Sequence, residues 1–259
     1  MARGRLIVIE GVDGTGKATQ TKKLIEFLTK DRGLVYGEDV IDVDFPRYGK
    51  HSAAMVENYL GGKLGSDPNT INPYLASSFY AMDRAISFQT ELWGEVYRNG
   101  GIVICDRYTI SNIIHQGSKI IGEISPDINS LYRRDRVHHM LSDIHKRALT
   151  DFSEWLCNYE YGKLGIPKPD LTFILTMSEE CNLKLITERH NHTGGTLDIH
   201  ESNQDYLTQC RYTIDVMKSC KSLSASTEFA FIKTHDDDNN IHPIDVISKQ
   251  ITDAVLAME

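Results

Sequence analysis

The sequence predicts an α/β fold in which helices cover both faces of one mostly parallel, five-stranded sheet. Three observations carry this. Five short apolar runs rich in β-branched residues recur along the chain, stretches of helical periodicity separate them, and the composition is that of one ordinary globule. Strands alternating with helices of this length imply right-handed crossovers and therefore parallel pairing. A strand buried on both faces reads as a continuous apolar run. The chain has 259 residues, 41% hydrophobic and 25% charged, near the usual values for a domain with a sizeable core. With no repeat and no linker in view, one domain over 1–259 is expected.

The apolar runs are 6–9 (LIVI), 40–45 (VIDVDF), 102–105 (IVIC), 171–175 (LTFIL) and 229–232 (FAFI), each short enough for a buried strand. After the first, residues 17–30 place Thr21, Leu24, Ile25 and Leu28 at helical spacing, with Gly33 as a stop signal. Further helices are expected over 52–60 and, with Pro73 near the start, across 74–97 as one piece. The last helix follows the acidic turn Asp236-Asp237-Asp238-Asn239-Asn240. Residues 118–160 read as a helical insertion. Its charged stretch LYRRDRVHHMLSDIHKR (131–147) is expected to be solvated, with His138 and His139 at the surface.

A formal net charge of −8 argues against a nucleic-acid partner, which calls for a basic face. The five cysteines Cys105, Cys157, Cys181, Cys210 and Cys220 are scattered without Cys-x-x-Cys spacing, so reduced thiols are expected in place of a zinc site. No apolar segment approaches the roughly 18 residues of a membrane span. The amino terminus MARGRLIVIEG runs straight into a strand whose glycine turn the fold needs, which is unlike a cleaved signal. A cytoplasmic location without a membrane partner is expected.

Gly11-Val12-Asp13-Gly14-Thr15-Gly16-Lys17 follows the first strand and opens a helix, the G-x-x-x-x-G-K spacing in the context that motif requires. Glycines let backbone N–H groups turn inward around an anion, the helix end adds partial positive charge, and Lys17 brings a full charge to the outer phosphates. Ala18 stands where such loops carry a hydroxyl for Mg²⁺. Thr19 lies about 100° further round the helix, so magnesium falls to water, nucleotide and carboxylates elsewhere. The third strand ends in Asp106-Arg107, at the carboxyl edge where ligands of open parallel sheets bind. Asp106 is placed for magnesium or its water, and Arg107 for a phosphate.

GVDGTGKATQ (11–20), FPRYGK (45–50), FYAMDR (79–84) and DRYTISNIIHQG (106–117), with PDLTFIL (169–175) as a fourth strand, resemble in order and approximate spacing the thymidylate kinases, which phosphorylate dTMP from ATP. The resemblance implies a three-layer P-loop fold with a mobile lid, Mg²⁺ as cofactor, ATP and dTMP as small-molecule substrates, and a homodimer. It assigns residues 11–19 to ATP: Gly11, Val12, Asp13, Gly14, Thr15, Gly16, Lys17, Ala18 and Thr19. Asp13 would also meet the acceptor sugar's 3′-hydroxyl. Arg47, Arg84 and Arg107 look like the acceptor-phosphate and transfer-site arginines, whose planar fork suits an anion. Phe79 or Tyr80 would stack on the base, Tyr80 being one turn before Arg84. Ser111 and Gln116 would meet the base edge, with Leu60 as an apolar wall.

Phosphoryl transfer asks for in-line placement and positive charge. Some members of the family carry an arginine inside the phosphate loop, where this chain has Gly14. In others a lid supplies it, and the matching segment is LITERHNHTGGTLDIHE (185–201). Arg189 is its one arginine or lysine, with His190 and His192 beside it, and Gly194-Gly195 would let it flex. The expected catalytic set is Lys17, Arg107, Asp106 and Arg189, with Asp106 toward the metal. Other readings stay open: a kinase for another nucleoside monophosphate or a deoxynucleoside, or a catalytically weak nucleotide-binding regulator.

Overall fold

The structure, a computed structural model, describes residues 3–65, 70–133, 140–193, 203–220 and 227–258, without the side chains of 140–142 and 189–193. All five expected strands form: β1 (Arg5–Gly11), β2 (Val40–Asp44), β3 (Ile102–Asp106), β4 (Leu171–Thr176) and β5 (Glu228–Lys233). They make one sheet in the order β2-β3-β1-β4-β5 with every pair parallel. The chain leaves β1 for the outer edge, returns at β3 beside β1, then crosses to the other side for β4 and β5. This reversal opens a crevice beyond the carboxyl ends of β1 and β3, the place where such sheets bind ligands.

The helices are α1 (Lys17–Glu26), α2 (Ala54–Leu60), α3 (Pro73–Thr90), α4 (Leu92–Arg98), α5 (Thr109–Ile124), α6 (Ile128–Arg133), α7 (Met140–Cys157), α8 (Glu179–Thr193), α9 (Gln204–Ser219) and α10 (Ile244–Leu256). They explain why β1 reads as unbroken apolar sequence. Ile7 and Ile9 pack with Leu24 of α1 and with Ile247 and Ile251 of α10. Leu6 and Val8 point the other way, into a cluster with Phe88, Trp93 and Val96. A further cluster joins α5, α7 and α9 through Ile113, Leu149, Leu156 and Leu207.

Two expectations about helices are corrected. Residues 74–97 are two helices, broken where Glu91 is extended (φ −109°, ψ 160°). The second helix presses on the end of the first so closely that a Cβ at Gly94 would lie 1.9 Å from the Phe88 carbonyl oxygen. The described residues within 118–160 include the end of α5, α6 and α7, but the charged stretch is solvated on one face only. Asp143, Ile144 and Arg147 are exposed, while His145, Leu149 and Leu156 are buried. His138 and His139 lie outside the described residues.

The segment after α7 also reaches the heart of the molecule. Glu160 is fully buried and takes a two-pronged ion pair from Arg84, Nε to Oε2 at 2.7 Å and Nη2 to Oε1 at 2.6 Å, plus the Thr109 hydroxyl at 2.9 Å. The network ties α3 to the start of α5. Removing one member leaves the other charge buried without its partner, at a cost of about 3–5 kcal/mol. Glu160→Ala is therefore expected to lower the denaturant-unfolding free energy by about that amount, and a loss under 1 kcal/mol would show that the pair carries no such burden.

Candidate active site

At the end of β1 the chain turns through the glycine loop. Gly11, Gly14 and Gly16 stand at φ 145°, 79° and 90°, conformations that glycine adopts without a Cβ clash. The Thr15 hydroxyl and the Lys17 ammonium each donate to the Val12 carbonyl at 2.9 Å, so the lysine lies folded over the loop. A cavity of about 530 Å³ opens there between Gly14–Gln20, the ends of β2 and β3, and the segment preceding α10. Ala18 and Thr19 sit exposed on its rim. Helix α8 crosses the loop from above. Asn182 Nδ2 donates to the Asp13 carbonyl, and Asn182 is itself held by Arg211 Nη2 at 2.7 Å.

A second, smaller cavity of about 200 Å³ lies on the α3 and α5 side. The two share Asp13, Phe45, Pro46, Tyr48 and Arg107. Asp83 fixes that shared wall, accepting the Arg47 backbone N–H at 2.8 Å and the Ser52 hydroxyl at 2.6 Å.

Arg107 stands at the join in a left-handed conformation, φ 69°, a geometry that costs a non-glycine residue about 1–3 kcal/mol. Glu10, fully buried on β1, holds the turn. Its Oε1 accepts the N–H groups of Tyr108 and Ser111 at 2.7 and 2.9 Å, and its Oε2 accepts the Ser111 hydroxyl at 2.6 Å. The guanidinium that results donates from Nη2 to the Asp13 carboxylate and from Nη1 to the Gly11 carbonyl at 3.3 Å.

Burial sets the local titration. It pushes the Lys17 ammonium down to about 8, with the Arg107 charge helping, while Asp13, Asp106 and Glu10 oppose. It pushes the Asp106 and Glu10 carboxyls up, against the pull of Lys17 and Arg107. Around Arg107, burial works against the charge, but Asp13, Asp106 and Glu10 outweigh it and hold the guanidinium firmly protonated.

The family model for thymidylate kinase matches residues 9–130. A curated thymidylate kinase of Mycobacterium tuberculosis is 30% identical over 176 residues, 68% of this chain and 67% of that one. One from Bradyrhizobium diazoefficiens is 27% identical over 211 residues, covering 78% and 71%. The chain belongs to the thymidylate kinase family. The fold agrees: the thymidylate kinase of Candida albicans superposes with a TM-score of 0.60 at 19% identity, over 99% of this chain and 93% of that one.

Set against the family's motifs, the structure brings Asp13, Lys17, Asp106 and Arg107 together around the larger cavity, and Leu60, Tyr80, Arg84 and Ser111 around the smaller. Several roles change. Arg47 lines neither cavity. Its guanidinium is bound to Glu91 Oε2 at 2.6 and 3.0 Å and to Asp44 Oδ1 at 2.5 Å, so a phosphate would have to displace two carboxylates. Arg84 lines the smaller cavity, but its charge is committed to Glu160. Phe79 and Tyr80 both pack on the α2–α3 cluster, and of the two only Tyr80 also lines the cavity. Gln116 is fully buried away from the cavity lining, its amide without a hydrogen-bond partner among the described residues. Ser111 reaches the cavity with its hydroxyl donated to Glu10. A side chain at Gly14 has no room here, since a Cβ would lie 2.7 Å from Ile186 Cγ1. The lid region begins inside α8, which runs to Thr193. The side chain of Arg189 and those of His190 and His192 lie outside the described residues, as do 194–201.

The motifs missed Glu10, Asp44, Asn112, His115 and Asn182. Ser111, Asn112 and His115 line one cavity at helical spacing just after Tyr108, a face that the 3.6-residue period picks out, with Gln116 at its edge one turn beyond Asn112. Asn182 is 169 residues from Asp13, and nothing local signals their contact.

A bound triphosphate favours a charged Lys17. Binding is therefore expected to take up a proton above about pH 8, where the free lysine has begun to lose its own, and none near pH 6. Calorimetry of ATP binding in two buffers of different ionisation enthalpy reads this. Absence of uptake at about pH 8.5, or uptake that persists in Lys17→Met, would contradict it.

Proposed function

We propose that this chain transfers the γ-phosphoryl group of ATP to dTMP, giving dTDP and ADP. The observation that supports it best is a single guanidinium, that of Arg107, standing where a phosphate-loop cavity meets a smaller aromatic-walled one. In this reading the triphosphate lies along the glycine loop under Lys17, and the adenine lies against the apolar wall of Ile241, Ile244 and Ile247. The acceptor base lies in the smaller cavity against Tyr80 and Leu60, with Asn112 and Ser111 at its polar edge. Asp13 accepts from the sugar hydroxyl. The two phosphate tails then meet beside Arg107 with water excluded, which supplies placement and charge stabilisation together. Arg189 closes over them from the lid.

The residues fit a magnesium ion that arrives with the nucleotide. Among the described residues no group of three or more His, Cys, Asp or Glu side chains makes a cage. Asp106 and Asp44, paired across β3 and β2, nonetheless face the donor cavity side by side. Mg²⁺ leans on substrate phosphates, water and one or two carboxylates in such sites. When bound it would neutralise phosphate charge, and Asp106 and Asp44 would hold it or its waters.

No helix among the described residues is long and apolar enough to cross a membrane, and the five cysteines are free thiols, which supports a cytoplasmic place. Leu75, Met82 and Ile86 form an exposed apolar stripe along α3. We read it as the seam of a homodimer, an assignment that a one-chain mass by light scattering would remove.

The activity is tested by ADP release with Mg²⁺ and dTMP, dUMP, dCMP or thymidine as acceptor. Turnover with dTMP is expected to exceed the others, and Arg107→Ala to lower kcat by roughly 10²–10³-fold, as losing a transition-state donor does. ATP binding with no turnover of any acceptor would favour the regulatory reading. Preference for another monophosphate would reassign the substrate.

A further inference from the structure

His115 lines the acceptor cavity from α5, and no motif singled it out. Each ring nitrogen has a neighbour. Nε2 lies 3.2 Å from Arg107 Nη1, and Nδ1 lies 3.2 Å from the Tyr206 hydroxyl. That hydroxyl in turn donates to the His115 carbonyl at 3.1 Å. These contacts decide where the proton is. A guanidinium nitrogen donates and never accepts, so Nε2 must be the acceptor and carries no hydrogen. Tyr206 has used its hydrogen on the carbonyl, so it accepts, and Nδ1 carries the proton. The ring is neutral in a tautomer set by its neighbours. Tyr206 stacks on it with centroids 5.9 Å apart and 28° between planes, and Cys210 Sγ lies 3.6 Å from Nδ1.

We propose that His115 is a positioning residue for Arg107, acting as a neutral imidazole whose Nε2, together with the Gly11 carbonyl, anchors one arm of the guanidinium and leaves the fork's other edge toward an incoming acceptor phosphate. Protonation at Nε2 replaces an acceptor with a donor and sets two positive groups 3.2 Å apart, so Arg107 must turn away. The other titratable groups around the ring do not imitate this. Tyr206 is held neutral by burial, which also pushes Cys210 up to about 12. Tyr80 lines the same cavity, Asp13 lies on the opposite arm of Arg107, and Glu10 lies behind the turn, its carboxyl pushed up by burial.

The test rests on the dTMP kinase reading and is built to separate the two. kcat and KM for dTMP and for ATP are measured from about pH 5.5 to 8.5, across the range where histidine changes charge, for the wild type, His115→Leu and His115→Gln, with melting temperatures as a check on folding. At the alkaline end His115→Leu is expected to raise KM for dTMP by about tenfold, the size of one hydrogen bond to a charged group, and to raise KM for ATP less, since the glycine loop and Lys17 hold the triphosphate as well. His115→Gln, whose carbonyl can accept in place of Nε2, recovers most of that loss. The wild-type to Gln ratio of kcat/KM for dTMP falls toward acid pH. Titrations of the dTMP phosphate, near pH 6, and of Glu10 are common to both proteins and divide out of the ratio. A ratio flat with pH, or His115→Leu with unaltered KM for dTMP, overturns the proposal. Independently of any acceptor, ¹⁵N NMR of the imidazole reads the tautomer at alkaline pH: Nδ1–H supports the assignment and Nε2–H overturns it. Should the wild type turn over no acceptor, the substrate reading fails and the tautomer still decides the role of His115.

Discussion

The site depends on a buried carboxylate holding a turn that its residues would not adopt alone. Glu10 gathers two backbone N–H groups and a hydroxyl from the first turn of α5, and in doing so keeps Arg107 in the left-handed region. An extended or helical Arg107 would carry its side chain elsewhere. The clamp bridges neighbouring strands at the middle of the sheet, since β1 and β3 are directly paired and Ile9 lies opposite Asp106. Strain at one residue is thus offset by three hydrogen bonds in a water-free setting, where they are strongest. The consequence is a cation fixed between two cavities.

Charge balance follows from the same construction. Lys17 and Arg107 share the donor cavity with Asp13, Asp44 and Asp106, a mixed set that is ill suited to hold naked anions. Asp13 neutralises Arg107 until a ligand competes for it. Burial lowers Lys17 and raises Asp106, so their charges are under-solvated, and in the proposed reading phosphate and a divalent ion would relieve this. Ala18 therefore does not silence the loop. In the proposed reading, magnesium would lean on the strand-end carboxylates and the nucleotide instead.

Much of this was legible from the chain. The five strands announced themselves because burial on both faces demands unbroken apolar runs, and the glycine loop and Asp106-Arg107 follow from chemistry confined to a few consecutive residues. What spacing could not convey is which distant group a side chain chooses. Arg47 and Arg84 have the right type and place for phosphate, yet Glu91 and Glu160, 44 and 76 residues away, claim them. The break at Glu91 was hidden because helical periodicity continues across it, and the reason lies in one close approach at Gly94. His115 and Asn112 stand inside the DRYTISNIIHQG stretch, on the same face of α5 as Ser111, and the helical period marks them as its neighbours.

The central claim is that one guanidinium serves both nucleotides. It is tested most directly by the structure of the chain with adenosine and thymidine joined through a phosphate chain long enough to span both cavities. The account predicts adenine on the α10 side, thymine beside Tyr80, and Arg107 within hydrogen-bond reach of the phosphates between them. Phosphates that pass out of reach of Arg107, with its fork still on Asp13, would contradict it.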